Sequence, residues 1–384
     1  MSRPLRIGLN LVYLEERSGG AGTYARELIP AMLEAEPGTR ITAFVSSEAP
    51  AWLDAAPWRP EIDVVTYPIT VTHGPPGNFA LTMGAQWIAL PWQAARRRLD
   101  VVHGLANITP LAAPRVATVV TVLDLIWIRF AHTLDRRATV GMKLVTPPSA
   151  HRADRVIAIS HAAKADLAQT LRLPESKIDV THLGMHPREQ EAPPTPEREL
   201  RERLGLGDGP VVLNVAQKRE HKNQLGLIRA MEHLPEATLV LPGAPTPHEQ
   251  ELRRAAEPLG GRVVFPDWLT DEDLSGLYAL ATCFVLPSFE EGFGLPILEA
   301  MGRGVPVACS NLSSLPEVAG DAAVLFDPHD PQDMARAIRR LLEDEALRDD
   351  LRVRGLARSR QFPWSATAAA TLESYRRAIA GRRA

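Results

Sequence analysis

Two glutamates, Glu291 and Glu299, stand with seven residues between them in the segment EEGFGLPILEAM. The run before them, Cys283–Leu286, is apolar and strand-like and stops at Pro287; Gly292 and Gly294 then mark a turn, and Pro296 suits the first turn of a new helix, where its missing N–H costs nothing. A glycine-opened loop that feeds a helix N-terminus turns free backbone amides and a positive dipole end toward an anion, and glycine lets a ligand approach the backbone closely. A carboxylate accepts several hydrogen bonds and so suits a ligand rich in hydroxyls. Taken singly, each glutamate reads as a solvated side chain on a strand–turn–helix, but the joint pattern is far rarer by chance.

Asn214–Asn223, NVAQKREHKN, also follows a strand and opens a helix, and it carries Lys218, Arg219 and Lys222. Alone it reads as a basic surface loop; beside the glutamate segment it becomes a second candidate for holding phosphate. In the other half of the chain, Gly19–Tyr24, GGAGTY, lies between the first strand and the first helix, here placed at Thr23–Glu34, with Gly20, Gly22 and Thr23 as candidates. It is no dinucleotide fingerprint: the spacing is not G-x-G-x-x-G, and the next strand does not end in an acidic residue. Asp124 closes a strand in TVLDLIW, while His103 and His132 read as hydrogen-bonded structural histidines. Asp271–Asp273 reads as the acidic first turn of a helix. No Asp-x-Asp pattern suits a divalent ion, and no metal is expected.

These candidates must be positioned by many short strands and helices. Strands are expected at Arg6–Val12, Ile41–Val45, Val64–Tyr67, Val101–His103, Val116–Leu123 and Arg155–Ile159, with helices near Phe79–Arg98, Arg136–Ala153 and Ala162–Leu171. His186–Glu199, with four prolines and many charges, reads as a linker. Alternation then restarts with strands at Val211–Val215, Thr238–Leu241, Val263–Phe265, Cys283–Leu286, Val305–Ala308 and Ala323–Phe326, followed by helices at Gln332–Leu342, Ala346–Arg358 and Trp364–Ile379. Val- and Ile-rich strands interleaved with helices predict parallel sheets covered on both faces. The fold class is therefore α/β with two Rossmann-like parallel-sheet domains, residues 1–186 and 187–362, and a terminal helix at 363–384. Ligands of such sheets lie at the carboxyl ends of the strands, here in a central cleft faced by both domains.

Composition narrows the classes further. At 384 residues the chain suits two cores, and a net charge of -3 gives no general field for nucleic acid. No apolar run reaches bilayer length. The short apolar stretch at the N-terminus contains Asn10 and reads as a strand rather than a signal peptide, so the expected address is cytoplasmic. The two cysteines, Cys283 and Cys309, read as buried thiols and build neither a disulfide framework nor a zinc site. Arg96–Arg98, with Trp87 and Trp92 near, reads first as a solvated helix face and second as a peripheral membrane contact.

The glutamate segment resembles the E-x7-E signature of retaining GT-B glycosyltransferases, particularly family four, and the resemblance runs over essentially the whole chain. It implies GT-B architecture and transfer from a nucleotide-sugar donor to a glycan, lipid-linked or small-molecule acceptor, with the donor as co-substrate and no further cofactor. By the resemblance, Glu291 lies by the donor sugar, Glu299 binds the ribose hydroxyls, and Gly292, Phe293, Gly294 and Leu295 lie between them, with backbone amides facing the donor. Asn214–Asn223 resembles an element whose basic side chains hold the donor diphosphate. Lys222 matches its lysine; His221 stands where that element has arginine, leaving Arg219 or Lys218 to supply a second charge. Val263–Trp268 resembles the loop that reads the nucleobase, which makes Phe265 a candidate, and Asn311–Val318 resembles the element following the next strand, with Glu317 matching its glutamate. Gly20 and Gly22 fall beside the donor phosphates and the acceptor. Ser160, Lys164 and Gly184 match family turns, and Phe362–Tyr375 resembles the last helix, which returns to the N-terminal domain. One departure is consequential: Leu123 precedes Asp124 where the family has His-Asp. The rival readings are a catalytically silent relative, a sugar-nucleotide epimerase and a glycosidase with paired carboxylates; the last leaves the Lys222 loop without a purpose.

Overall fold

The computed structural model describes residues 3–16, 19–70, 78–185, 192–266 and 269–382. The chain divides into two compact units. One comprises Met1–Gly184 together with Pro363–Ala384, and the other comprises Met185–Phe362.

The first unit is built on a seven-stranded parallel sheet. Its strands are β1 (Arg6–Leu11), β2 (Arg40–Val45), β3 (Ile62–Thr66), β4 (Val101–Gly104), β5 (Ala117–Val122), β6 (Arg155–Ala158) and β7 (Ile178–Val180), in the order β3-β2-β1-β4-β5-β6-β7. Ile7, Leu9, Val101, Val102, Val119, Val120 and Val122 are fully buried. They form near-continuous apolar runs because helices cover both faces of a parallel sheet, and each such side chain contributes about 1.5–3 kcal/mol on burial. The second unit repeats the plan with six parallel strands: β8 (Val211–Leu213), β9 (Thr238–Val240), β10 (Val263–Val264), β11 (Cys283–Leu286), β12 (Val307–Ser310) and β13 (Ala323–Phe326), ordered β10-β9-β8-β11-β12-β13. Counted from its own first strand, each sheet has the doubly wound order 3-2-1-4-5-6, extended by a seventh strand in the first unit, and the order reverses direction between strands one and four.

The expected strands are all present, with ends shifted by up to two residues, and β7 is an addition. Three local expectations change. The first helix starts at Gly19, not Thr23, so Gly20 and Gly22 sit inside its first turns rather than in a loop. The Phe79–Arg98 helix is interrupted: Asn78–Gly84 passes through a π-helical turn, Ala85–Ala89, before Leu90–Arg96. The expected linker's last three residues already belong to the helix Glu197–Leu204, and residues 186–191 lie outside the described residues.

Local chemistry fixes the helix ends. The Ser160 hydroxyl accepts from the Ala163 amide, and Thr270 forms a capping box with Asp273, so Asp271, Glu272 and Asp273 make up the acidic first turn of Asp271–Leu280. The final helix, Trp364–Gly381, packs in the first unit against the helix Gly19–Ala35. There Gly184 has a structural reason: a Cβ at that position would fall 2.5 Å from the Trp364 ring. Both cysteines are buried and free, and burial pushes the Cys283 thiol up to about 12 and raises Cys309 as well. Among the described residues no helix is long and apolar enough to cross a membrane.

Candidate active site

In the second unit, β8 and β11 are the neighbours at which the strand order reverses. The two segments singled out from sequence leave the carboxyl ends of these strands, so they meet where an open parallel sheet offers its ligand crevice.

The β8 segment is shaped by asparagines. Asn214 donates from Nδ2 to the Val285 carbonyl of β11 at 2.8 Å, and Gln224 Nε2 donates to Asn214 Oδ1 at 3.1 Å. Asn223 sits in the left-handed region at φ 52° and caps the helix Gln224–Ala230 by accepting from the Gly226 amide. Its Nδ2 donates to the Pro287 and Pro328 carbonyls at 3.1 and 2.8 Å, which ties the loop to the end of β11. A short side chain that tolerates positive φ is what this turn requires.

The β11 segment brings Glu291 to Lys222. Lys222 Nζ donates to both carboxylate oxygens of Glu291, at 2.7 and 2.8 Å, and Ser288 Oγ donates to Oε1 at 2.8 Å. Glu291 is 8% exposed, and a charge this buried is retained because it is paired and hydrogen-bonded. The loop backbone is pinned from Asn311–Val318. Ser313 Oγ accepts from the Glu291 amide at 3.2 Å and donates to its carbonyl at 2.7 Å, while Ser314 Oγ lies 3.0 Å from the Glu291 carbonyl and 2.7 Å from that of Phe293. Gly294 is the N-cap of the helix Leu295–Gly302 at φ 110°, and a Cβ there would stand 2.8 Å from Leu315 Cδ2. Leu295 and Pro296 occupy the first turn, and Gly292 lies in the loop. The Phe293 ring is buried edge-on against Phe362, so that side chain is packing.

Glu299 lies one turn along that helix. Tyr278 OH donates to its Oε2 at 3.3 Å, and Arg303 donates to its carbonyl at 3.0 Å while its guanidinium stacks 4.3 Å from the Tyr278 ring centre. Phe265 follows β10 and carries the Arg253 guanidinium 4.7 Å from its ring centre; Asp267 and Trp268 lie outside the described residues.

His221 brings no charge to the place of the arginine, and of the two candidates for a second charge Lys218 is corrected. His221 is 3% exposed, and burial, reinforced by the charges of Lys222 and Arg219, lowers its pKa to about 3. It is therefore neutral and cannot replace an arginine's charge. Lys218 is 1% exposed, and its Nζ donates to the Gly243 carbonyl at 2.6 Å, so it points into the fold. Arg219 is half-buried and donates from Nε to Gln217 at 3.0 Å.

The remaining candidates belong to the first unit. Asp124 Oδ1 accepts from the Ile126 amide at 3.1 Å, and the Asp124 carbonyl accepts from Trp127 Nε1 at 3.2 Å, an Asx turn that starts the helix Ile126–Arg129. Gly20 is exposed with open space around its α-carbon, and Gly22 is buried. His103 is fully buried between Tyr375 OH at 2.7 Å and Thr121 Oγ1 at 2.8 Å, and burial lowers its pKa to about 3, so it is a structural histidine.

Sequence reasoning missed Ser288, Ser313, Ser314 and Tyr278. A signal existed for the serines in NLSSLPEV, whose Glu317 drew the attention, but serines are common in turns and nothing in their spacing reveals which carbonyl they meet.

Similarity to known proteins agrees with this architecture. Residues 18–189 match the family described as Glycosyltransferase Family 4, and residues 196–358 match Glycosyl transferases group 1. The chain is 32% identical to the O-antigen chain mannosyltransferase B of Escherichia coli over 271 residues, which is 64% of this chain and 71% of that protein. It is 34% identical over 239 residues to the serotype-specific mannosyltransferase WbdA of the same species, covering 59% of this chain and 29% of that longer protein. Among solved structures, sucrose-phosphate synthase from Thermosynechococcus elongatus superposes with a TM-score of 0.75 at 22% identity, over 98% of this chain and 100% of that one. Anabaena HepE in complex with UDP-glucose gives 0.72 at 22%, over 96% and 100%. With family matches over both units and a relative at this identity, the chain belongs to the family four, group 1 glycosyltransferases of GT-B fold.

Proposed function

We propose that this glycosyltransferase transfers a hexose, with mannose the first choice, from a nucleoside-diphosphate sugar to a glycan hydroxyl, with retention of the anomeric configuration. The observation that carries the reading is the partly buried Lys222–Glu291 pair beside the glycine-opened helix end at Gly294. Mannose is favoured because the two Escherichia coli relatives are named mannosyltransferases, and a nucleotide-sugar donor because the HepE structure holds UDP-glucose.

In this reading the bond from the anomeric carbon to the diphosphate oxygen breaks, and a bond to the acceptor oxygen forms on the same face. The acceptor proton passes to the departing phosphate oxygen, and the nucleoside diphosphate leaves. The demand on the protein is to stabilise negative charge growing on the leaving group. Lys222 supplies a cation held in place by Glu291, Ser288 and the Asn223 turn, and the first-turn amides after Gly294 supply oriented dipoles. Arg219 adds positive potential from the loop rim, and no divalent ion is required. Glu291 meets the sugar hydroxyls, Glu299 the ribose, and Phe265 the base. Gly20 and Gly22 are assigned beside the donor phosphates and the acceptor, and Asp124 to the acceptor side.

Thermal shift with GDP, UDP and their hexose conjugates tests the donor. Binding raises Tm by mass action, and an unmoved Tm with every nucleotide rejects the reading. The anomeric configuration of the product, read by NMR, tests retention. One observation keeps a second reading, a silent relative that binds donor without turnover: Leu123 places an apolar side chain before Asp124. Donor binding without transfer to any acceptor supports it, and a gain of activity in Leu123→His argues for a weakened enzyme instead.

A further inference from the structure

Lys218 has the most buried ammonium of the candidate site, and the fold spends it on neighbouring loops. Its Nζ donates to the Gly243 carbonyl at 2.6 Å and lies 3.4 Å from Glu249 Oε2. Glu249, on the next helix, Glu249–Ala256, is shared: its Oε1 accepts from Arg253 Nε at 2.8 Å and Nη2 at 2.7 Å. Arg253 in turn places its guanidinium over Phe265, 4.7 Å from the ring centre. The backbones interlock as well. The Thr246 hydroxyl donates to the Lys218 carbonyl, and Gly243, at φ 137°, lies so close to the β8 loop that a Cβ would stand 2.3 Å from the Ala216 carbonyl.

The chain Lys218–Glu249–Arg253–Phe265 therefore runs sideways across the carboxyl ends of β8, β9 and β10. It starts four residues before Lys222 and ends on the segment after β10. A buried, paired charge with fixed hydrogen bonds holds geometry more strictly than apolar packing of the same volume, and removing one partner strands the other.

We infer that Lys218, Glu249 and Arg253 are positioning residues which register the Lys222 loop against the Phe265 segment, so that the phosphate and base halves of the donor pocket bind one ligand together. This rests on the donor-site reading above. It differs from the alternative in which Lys218 is itself a phosphate ligand.

The two assignments separate by comparing two probes, inorganic pyrophosphate and the intact nucleoside diphosphate that shifts the native protein most. Affinities of both are measured by calorimetry for Lys218→Met, Glu249→Gln and Arg253→Met. Arg253 is half-exposed on a helix surface, so its variant keeps the test alive if Lys218→Met fails to fold. A registering chain predicts that all three variants weaken the nucleoside diphosphate about tenfold, with pyrophosphate changed less than about twofold. Combining Arg253→Met with Glu249→Gln adds little further loss, because the two act through one link. Equal weakening of both probes in Lys218→Met makes Lys218 a phosphate ligand and overturns the inference. Unchanged nucleoside-diphosphate affinity in Arg253→Met and Glu249→Gln also overturns it. Failure of the native protein to bind any nucleoside diphosphate is a different result and rejects the donor site itself.

Discussion

The two units use one strand order for opposite ends. In each, an asparagine at the end of the first strand reaches across the point of reversal: Asn10 donates to the Ile108 carbonyl at 3.2 Å and Asn214 to the Val285 carbonyl at 2.8 Å. Beyond that shared brace they diverge. In the first unit one cluster of polar groups near β4 and β5 joins His103, Thr121, Tyr24 and Tyr375, all buried and linked through hydrogen bonds. Burial leaves the histidine neutral and pushes the Tyr24 phenol up to about 12. In the second unit the corresponding strand ends carry the ion pair Lys222–Glu291 with the lysine 18% exposed. A closed neutral network fixes a core, whereas a charged pair open to solvent on one side can exchange a partner for a ligand.

This contrast can be broken at several points. The largest effect is expected for Glu291→Gln and Lys222→Met, each lowering the transfer rate by about a hundredfold or more. The double variant should be little worse than either single one, since the two act as a unit. Rates within tenfold of the native enzyme would remove the pair from the active site. Next, Tyr375→Phe deletes a partner of buried His103 and should cost about 1–3 kcal/mol of stability. Its kcat should stay near the native value at a temperature where the fold persists. A large rate loss without a Tm change would show that the first unit's network does chemistry after all.

Acid sensitivity sharpens the same comparison. His103 and His221 both titrate near 3 in the fold against about 6.5 when unfolded, so the unfolded chain binds more protons. Their contribution to stability is full above pH 6.5 and falls away as pH drops toward 3. Denaturant midpoints at pH 7.5 and 5 should show this loss, and His221→Gln should reduce it. An unchanged pH dependence in that variant would mean His221 is not held neutral. The smallest effect belongs to Ser314→Ala, about 1 kcal/mol of stability with a modest rise in donor KM. No change in either would mean the Glu291–Phe293 backbone does not need that hydroxyl.

Much of the architecture was legible because strands buried on both faces write themselves as Val- and Ile-rich runs, and Pro187, Pro193, Pro194 and Pro196 announce the junction. The strand–loop–helix settings of Glu291, Glu299 and Lys222 were legible because glycine, proline and apolar runs mark them. The start of the first helix was not, since Gly19, Gly20 and Gly22 are poor helix formers and their tertiary setting overrides propensity. Lys218 was misjudged for a related reason. Sequence shows that a residue is basic, but whether its ammonium meets solvent or Gly243 and Glu249 depends on the distant loop after β9. The carbonyls that Ser313 and Ser314 meet were hidden on the same ground, because these partners lie over twenty residues away.

The return of Pro363–Ala384 to the first unit has a consequence for how the chain is made. The second unit is an insertion: all of it leaves the ribosome before the first unit receives its last helix. Tyr375 then closes on His103 over a separation of 272 residues, a late and non-local step. Synthesis thus inverts the usual order in which N-terminal domains finish first. A nascent chain whose residues up to 362 have just cleared the ribosome should hold a completed second unit while the first is unfinished, with the hydrophobic face of the helix Gly19–Ala35 still waiting for its cover.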